Sequence, residues 1–325
     1  MRRCFSLLGT IALLVSCAVG VPPHKYAYAD NGQSVALLSD GRQMLSYRYA
    51  EMPAPEGVRA VYARGGFIHP ANTPSGFVLT EIQPPDHRHH YGIWNPWTRV
   101  EYDGKVYDLW NLGDSLGTVR AGKVFPSRNR RGCGFEAELE HVAFTPGGEV
   151  VIMKERWQVF ARETRDGFLW DFVSTLTPST DKPLTIKAYR YQGFCIRANA
   201  CWTKDNCSMM TSEGVERPGI DGSRARWIYL NGATGPASSG GFLILAAPEN
   251  YNAPEPLRIW DEKANRGRGD VFVNFCPAKT QDWNLEPGKS YCLSYRVLAF
   301  DNRMDSEKAE RLWREFADSA KGVLR

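Results

Sequence analysis

Four of the chain's six histidines lie close together: His69 in Phe67-Ile68-His69-Pro70, and His87, His89 and His90 in Pro85-Asp86-His87-Arg88-His89-His90-Tyr91-Gly92. Imidazole is the side chain whose unperturbed pKa lies nearest neutrality. Several held together can transfer protons, bind a metal ion or stabilise a developing negative charge. These four are the candidate catalytic residues. His87 and His89 are the pair that would ligate a divalent metal. No organic cofactor is expected, and no Walker loop, Rossmann fingerprint or GxSxG nucleophile elbow is present. In an extended stretch His87 and His89 face one side and His90 the other, so at most two of the three share a pocket directly, with His69 as a third member.

Trp94 and Trp97 follow this block, and Trp110 stands in Tyr107-Asp108-Leu109-Trp110-Asn111-Leu112-Gly113-Asp114. Flat aromatics beside polar donors suit a sugar, whose C–H face stacks while its hydroxyls take hydrogen bonds. The candidate binding residues are therefore Asp86, Arg88, Tyr91, Trp94, Trp97 and Trp110, with Arg197 placed to anchor a hydroxyl or carboxylate; Asp108 and Asp114 could line the same cleft. Bland readings stand beside these. A histidine in a strand can simply complete a hydrogen bond, and Arg197 can equally turn inward onto Glu213 or Glu216. Paired carboxylates at glycosidase separation are not recognisable in a sequence, because that distance is spatial.

The elements that must position these groups read mostly as strands. Asp40-Gly41 between Val35–Leu38 and Gln43–Tyr49, and Asp103-Gly104 between Val100–Tyr102 and Val106–Leu109, predict two hairpins, since Asp-Gly readily supplies the positive φ angles of a type I′ turn. Further strands are expected at residues 150–160, 168–176, 184–196, 242–246 and 291–300. In the last of these Leu293, Tyr295 and Val297 share one face while Leu298 and Phe300 make the other apolar too, as where a sheet is covered on both sides. Helical spacing recurs only at Ala309, Leu312, Trp313, Phe316 and Ala320, which predicts one helix over 306–320 with Asp305 at its cap and Lys321-Gly322 at its stop. The expected fold is all-β, a large antiparallel two-sheet sandwich with one C-terminal helix.

The N-terminus has the order of a secretion signal: Arg2 and Arg3, a short apolar run from Phe5 to Val15, then Leu14-Val15-Ser16-Cys17. That tetrapeptide resembles the lipobox of bacterial lipoproteins, in which the cysteine is acylated. Residues 1–17 are accordingly expected to be a lipoprotein signal ending at Cys17, with 18–25 a tether and 26–325 one domain. The expected location is periplasmic, or on the outer membrane through the lipid anchor. Thirty Gly, twenty Pro and a 12% aromatic share run through the chain without a polar linker or fixed repeat. A net charge of +4, evenly spread, does not point to nucleic acid. Six cysteines from Cys133 to Cys292 remain after Cys4 and Cys17, and they read equally as disulfides or as buried thiols.

The histidine block, with Thr73-Pro74-Ser75-Gly76 before it and Tyr191-Gln192-Gly193-Phe194-Cys195-Ile196-Arg197, Arg226-Trp227-Ile228 and Leu285-Glu286-Pro287-Gly288 after it, resembles the PmoA-type family, a label borrowed from methane oxygenase. Usual members read Asp-His-Pro-His-His-Arg-Gly where this chain has Arg88 and Tyr91, and carry a second histidine where it has Glu249-Asn250-Tyr251-Asn252-Ala253-Pro254. The label does not supply an activity, since methane oxygenase subunits are integral membrane proteins and no membrane-length apolar segment follows the signal. The same order of segments is loosely similar to the galactose mutarotase-like supersandwich, a fold of sugar epimerases, lyases and hydrolase domains. The resemblance implies a carbohydrate or glycoside ligand. It also implies acid/base chemistry by the histidines: glycosidic cleavage by hydrolysis or elimination, or epimerisation. The alternative is a non-catalytic glycan-binding lipoprotein.

Overall fold

The computed structural model describes residues 25–320, so the signal, Cys17, the tether up to residue 24 and the Lys321-Gly322 stop lie outside the described residues. About half the chain is strand (50%) and little is helix (9%). One eight-stranded sheet runs Tyr26–Asp30, Ser34–Ser39, Arg42–Arg48, Phe67–Ala71, Ile93–Trp94, Phe194–Arg197, Phe272–Phe275 and Leu257–Ile259. A second of eight strands runs Cys207–Thr211, Trp227–Gly235, Ser238–Ala246, Tyr291–Asp301, Gly167–Pro178, Gly148–Thr164, Cys133–Thr145 and Gly117–Arg128. Every pairing shown is antiparallel, and a four-stranded sheet of Trp283–Leu285, Leu184–Ile186, Val100–Tyr102 and Lys105–Tyr107 is added to the two.

Both Asp-Gly hairpins form as the turn chemistry requires. Asp40 and Gly41 have φ of 47° and 75°, Asp103 and Gly104 of 51° and 72°. Between the two large sheets lies the main core, with Leu37, Tyr47, Ile68 and Ile93 from the first and Trp157, Trp170, Phe172, Ile244 and Tyr295 from the second, all buried. The helix Ser306–Ala320 covers the outer face of the second sheet, where Ala309, Leu312 and Phe316 pack on Leu243, Leu298 and Phe300. Both faces of the last long strand are therefore covered. Each such buried Leu or Phe contributes about 1.5–3 kcal/mol relative to exposure. Asp305 caps the helix by accepting from the Lys308 backbone N–H at 2.8 Å. Glu310 ties the helix to the sheet by accepting from Arg226 Nη1 and the Trp227 indole.

Residues 184–196 are not one strand. Leu184–Ile186 belongs to the small sheet and Phe194–Arg197 to the first large one, with the chain crossing between them. Gly193 sits in that crossing at φ 89°, and a Cβ there would lie 2.8 Å from the Phe275 carbonyl oxygen, so only glycine fits. The crossing carries Tyr189, Arg190 and Tyr191 to the site described next. The six cysteines from Cys133 to Cys292 are free thiols, and among the described residues no helix is long and apolar enough to cross a membrane.

Candidate functional site

The histidine block is a closed loop, not an extended strand. It leaves and rejoins the first sheet between Phe67–Ala71 and Ile93–Trp94, clasped where the Gln83 N–H donates to the His90 carbonyl (2.7 Å) and Ile82 pairs with Tyr91. Two successive turns follow: the His87 N–H reaches the Pro84 carbonyl and the His90 N–H the His87 carbonyl. Pro84 and Pro85 preset the first of them. Turning replaces the alternation of a strand, so all three side chains meet. Ring centroids are 5.4 Å apart for His87 and His89, 4.8 Å for His87 and His90, and 4.9 Å for His89 and His90. The expectation that only two of the three share a pocket is corrected by that turn.

The three rings open on a cavity of about 170 Å³, walled otherwise by Trp110, Asn111, Arg190, Tyr191, Trp260 and Phe272 among others. His90 is 2% exposed and stacked on Phe272 (5.1 Å), with Trp94, Trp110 and Trp260 also close; its Nδ1 has no hydrogen-bond partner among the described residues. His87 Nδ1 donates to Asp86 Oδ2 at 2.8 Å. Arg197, 2% exposed, lies behind: it pairs with Asp270 at 2.9 Å and with Glu81 and Asp86 at 3.4 Å, and its guanidinium sits 4.7 Å from the Trp260 ring centroid. Burial alone would raise the Asp86 carboxyl, but the His87 hydrogen bond and the Arg197 charge outweigh it and hold that group below the usual range. Burial, then the neighbouring His87, push His89 down to about 4, and burial with both neighbours pushes His90 well below its ordinary value. Both imidazoles are neutral at neutral pH.

Not every candidate reaches the cavity. His69 hydrogen-bonds Thr80 through Nδ1 (2.9 Å) and burial pushes it down to about 4, but it does not line the cavity. Trp97 is wholly buried in the main core against Trp283, because the strand Ile93–Trp94 ends before it and the chain turns inward. Trp94 is wholly buried behind His90 and Trp110, and Tyr91 donates to the Tyr62 carbonyl under the Arg64 guanidinium. Arg88 Nη1 donates to the Gln83 carbonyl, which braces the loop itself. Arg197 pairs with Glu81, Asp86 and Asp270 instead of Glu213 or Glu216, and Glu213 lies beside Arg226. Asp108 is spent on the backbone N–H groups of Trp110 and Asn111 and on the Asn111 side chain, which it aims at Tyr191. Asp108 and Asp114 both line a neighbouring cavity that shares His89, Asn111 and Tyr191 with this one. Asn250, in the stretch where the resemblance expects a second histidine, is buried and donates to Glu255. Trp260, Phe272 and Arg190 were not legible as site residues, since each is a single residue brought in by a distant strand or crossing; the alternation Tyr189-Arg190-Tyr191 is the local signal that could have found one wall.

Among the described residues no three His, Cys, Asp or Glu side chains are arranged to hold a metal ion, so a divalent ion at His87 and His89 would take its other ligands from solvent or substrate.

Family comparison matches residues 34–314 to a family of unknown function (DUF6807). The chain belongs to that family. Its description does not carry the PmoA label. No curated protein matches the chain. Among solved structures it is similar to a galactose mutarotase related enzyme from Lactobacillus acidophilus (10% identity, TM-score 0.41, 84% of this chain and 97% of that one). It is likewise similar to a galactose mutarotase-like protein from Lactobacillus casei (11%, 0.41, 84% and 99%) and to heparan sulfate lyase HepC from Pedobacter heparinus (9%, 0.40, 87% and 38%).

The depressed histidines carry a pH prediction. The unfolded chain takes up their protons from about pH 6.5 downward, the folded chain only from about 4, so stability falls as pH drops through that window, by about 3 kcal/mol for each of His69 and His89. Urea melts at steps across the window should show a falling midpoint. His69→Gln, which can keep the Thr80 hydrogen bond, should flatten the fall by its share, and an unchanged slope would remove the assignment.

Proposed function

We propose that this protein is a carbohydrate-active enzyme that moves protons on a bound sugar, with His87 as the base. The Asp86–His87 pair at the mouth of an aromatic cavity carries this reading. An ionised Asp86 accepts only, so His87 presents Nδ1–H to it, and this tautomer of the neutral ring carries its lone pair on Nε2, the atom a general base uses. Trp110, Tyr191, Trp260 and Phe272 offer faces for a sugar's C–H surface, the neutral His89 and His90 offer ring N–H donors for its oxygens, and Asn111, whose Nδ2 is spent on Asp108 and Tyr191, offers Oδ1 to a hydroxyl.

No carboxylate lines this central cavity; Asp108 and Asp114 on one side and Asp221 and Asp261 on the other line the cavities beside it, so proton transfer at carbon, by elimination or epimerisation, fits the groups at the histidines better than two-carboxylate hydrolysis. The lipobox-like Leu14-Val15-Ser16-Cys17 supports an exported, lipid-anchored location for this chemistry.

Incubation of the full chain with a panel of neutral, acidic and oxidised oligosaccharides, with products followed by mass spectrometry, tests the reading. A new product or an epimer from at least one sugar is expected. Binding without turnover across the panel would replace the enzyme by a glycan-binding protein, and neither binding nor turnover would remove the sugar altogether.

A further inference from the structure

The histidine cavity does not stand alone. His89, Asn111 and Tyr191 also line a cavity of about 470 Å³ with Arg99, Asp108, Asp114 and Tyr189, and His87, Arg258 and Trp260 also line one of about 350 Å³ with Asp221, Asp261 and Lys263, so the acidic side chains lie in the flanks and not at the centre. Shared walls make the three a single groove with the histidines at its middle. The central 170 Å³ is below the roughly 300–1,000 Å³ of pockets that enclose a whole ligand. A ligand seated there therefore continues into both neighbours, which a chain of sugars does.

The charge of the central cavity narrows the chain further. Its lining holds two guanidiniums, Arg190 and Arg258, and no carboxylate. Arg258 is shared with Asp221 at 2.6 Å. Arg190, an exposed side chain, has no carboxylate partner shown among the described residues; its guanidinium lies 5.7 Å from the Tyr189 ring centroid and 5.3 Å from that of Tyr191, so the two tyrosines hold it at the wall and its charge meets solvent or a ligand. An imidazole removes a proton from carbon only where the charge left behind spreads onto an adjacent carbonyl or carboxylate, and a fixed cation at that oxygen lowers the barrier.

We infer that the substrate is a uronate-bearing oligosaccharide bound across the groove with an internal acidic sugar at the histidines, its carboxylate on Arg190 and the proton next to that carboxylate facing His87. The inference rests on the reading of His87 as a base on a sugar. His87 Nε2 takes the proton from C5. The C–H electron pair becomes the double bond between C4 and C5, and the C4–O bond to the next sugar breaks. The leaving oxygen takes the phenolic proton of Tyr191, which burial chiefly keeps bound. One product ends in an unsaturated uronate and the other in a free hydroxyl; the proton on His87 returns through solvent to the Tyr191 phenolate, and no water, oxidant or metal is consumed.

The test uses the full chain and size-graded oligosaccharides of galacturonate, of mannuronate and guluronate, and of glucuronate–hexosamine repeats, each beside its carboxyl-reduced form. Binding is read by calorimetry and cleavage by the ultraviolet absorbance of the new double bond. At least one acidic series is expected to bind and be cut, better as the chain lengthens from two to about four sugars, while its carboxyl-reduced form is not. Arg190→Ala should raise KM for the acidic series by about tenfold or more, with partial rescue by Arg190→Lys. Arg190→Ala acting equally on acidic and neutral ligands, or the absence of both binding and cleavage in every acidic series, overturns the inference. Turnover of neutral or oxidised neutral sugars that needs His87 also overturns it and leaves the proton-transfer reading standing. Failure of every sugar removes both.

Discussion

His87→Ala is expected to lower kcat on the protein's sugar substrate by about 10²–10⁴-fold, the range a positioned acid/base side chain contributes, which corresponds to about 3–5 kcal/mol of barrier. The fold should barely register the change. The His87 side chain is 37% exposed and its hydrogen bond is to Asp86 alone among the contacts described, so the loss should fall on turnover while the melting midpoint stays within about 1 °C of wild type. His90→Ala makes the contrast. That ring is packed among Trp94, Trp110, Trp260 and Phe272, and its removal leaves a hole expected to cost about 2–4 kcal/mol of stability along with activity. Chelator separates the remaining chemistries. Acid/base work by His87 is indifferent to it, whereas an ion bridging His87 and His89 would be stripped and restored by added divalent metal. Wild-type turnover in His87→Ala would sink the role given to this residue.

How far the sequence reached depends on whether the determining interactions are local. Asp40-Gly41 and Asp103-Gly104 specify their turns through the φ angles of two residues, and the helix Ser306–Ala320 announces itself through a 3.6-residue period, a cap and an apolar outer sheet face to receive it. The loop at His87–His90 was legible as a cluster of histidines and misjudged as shape. Its form is decided by Pro84, Pro85 and the clasp from Gln83 to His90, which an assumption of alternation overlooks. Trp97 illustrates the converse: an aromatic three residues from Trp94 looks like part of one wall, yet the strand ends between them and the core takes it. Trp260 and Phe272 reach the cavity only through the pairing of Leu257–Ile259 with Phe272–Phe275 and of that strand with Phe194–Arg197, contacts between distant segments with no local signature.

Glu155→Ala is expected to be the most destabilising single change in the polar core. Glu155 is buried on Gly148–Thr164, and its carboxylate collects four donors: Asn95 Nδ2 (2.6 Å), Trp157 Nε1 (2.6 Å) and Ser174 Oγ (2.5 Å) on Oε1, and His141 Nε2 (2.8 Å) on Oε2. Asn95 comes from the segment just after Ile93–Trp94 in the first sheet and the others from the second, so the carboxylate fastens one sheet to the other directly behind the strand that carries Trp94 and the histidine loop. Alanine leaves the buried donors of Trp157, Ser174 and His141 without an acceptor and leaves Asn95 Nδ2 with Ser174 Oγ alone (3.1 Å). At about 1–3 kcal/mol for each orphaned group, discounted for relaxation and entering water, a net loss of about 4 kcal/mol or more is expected, a large part of the 5–15 kcal/mol that holds a typical domain. Glu155→Gln separates hydrogen bonding from charge. Its amide oxygen can keep the three donors on Oε1, and its NH₂ can face His141 if that ring moves its proton to Nδ1, which has no partner to oppose the change. Urea melts of the two variants decide the matter: a large loss in Glu155→Ala with most of it restored in Glu155→Gln is the result a hydrogen-bond hub requires. Equal losses would show that the negative charge beside His141, and not the count of satisfied donors, is what the sandwich needs at its centre.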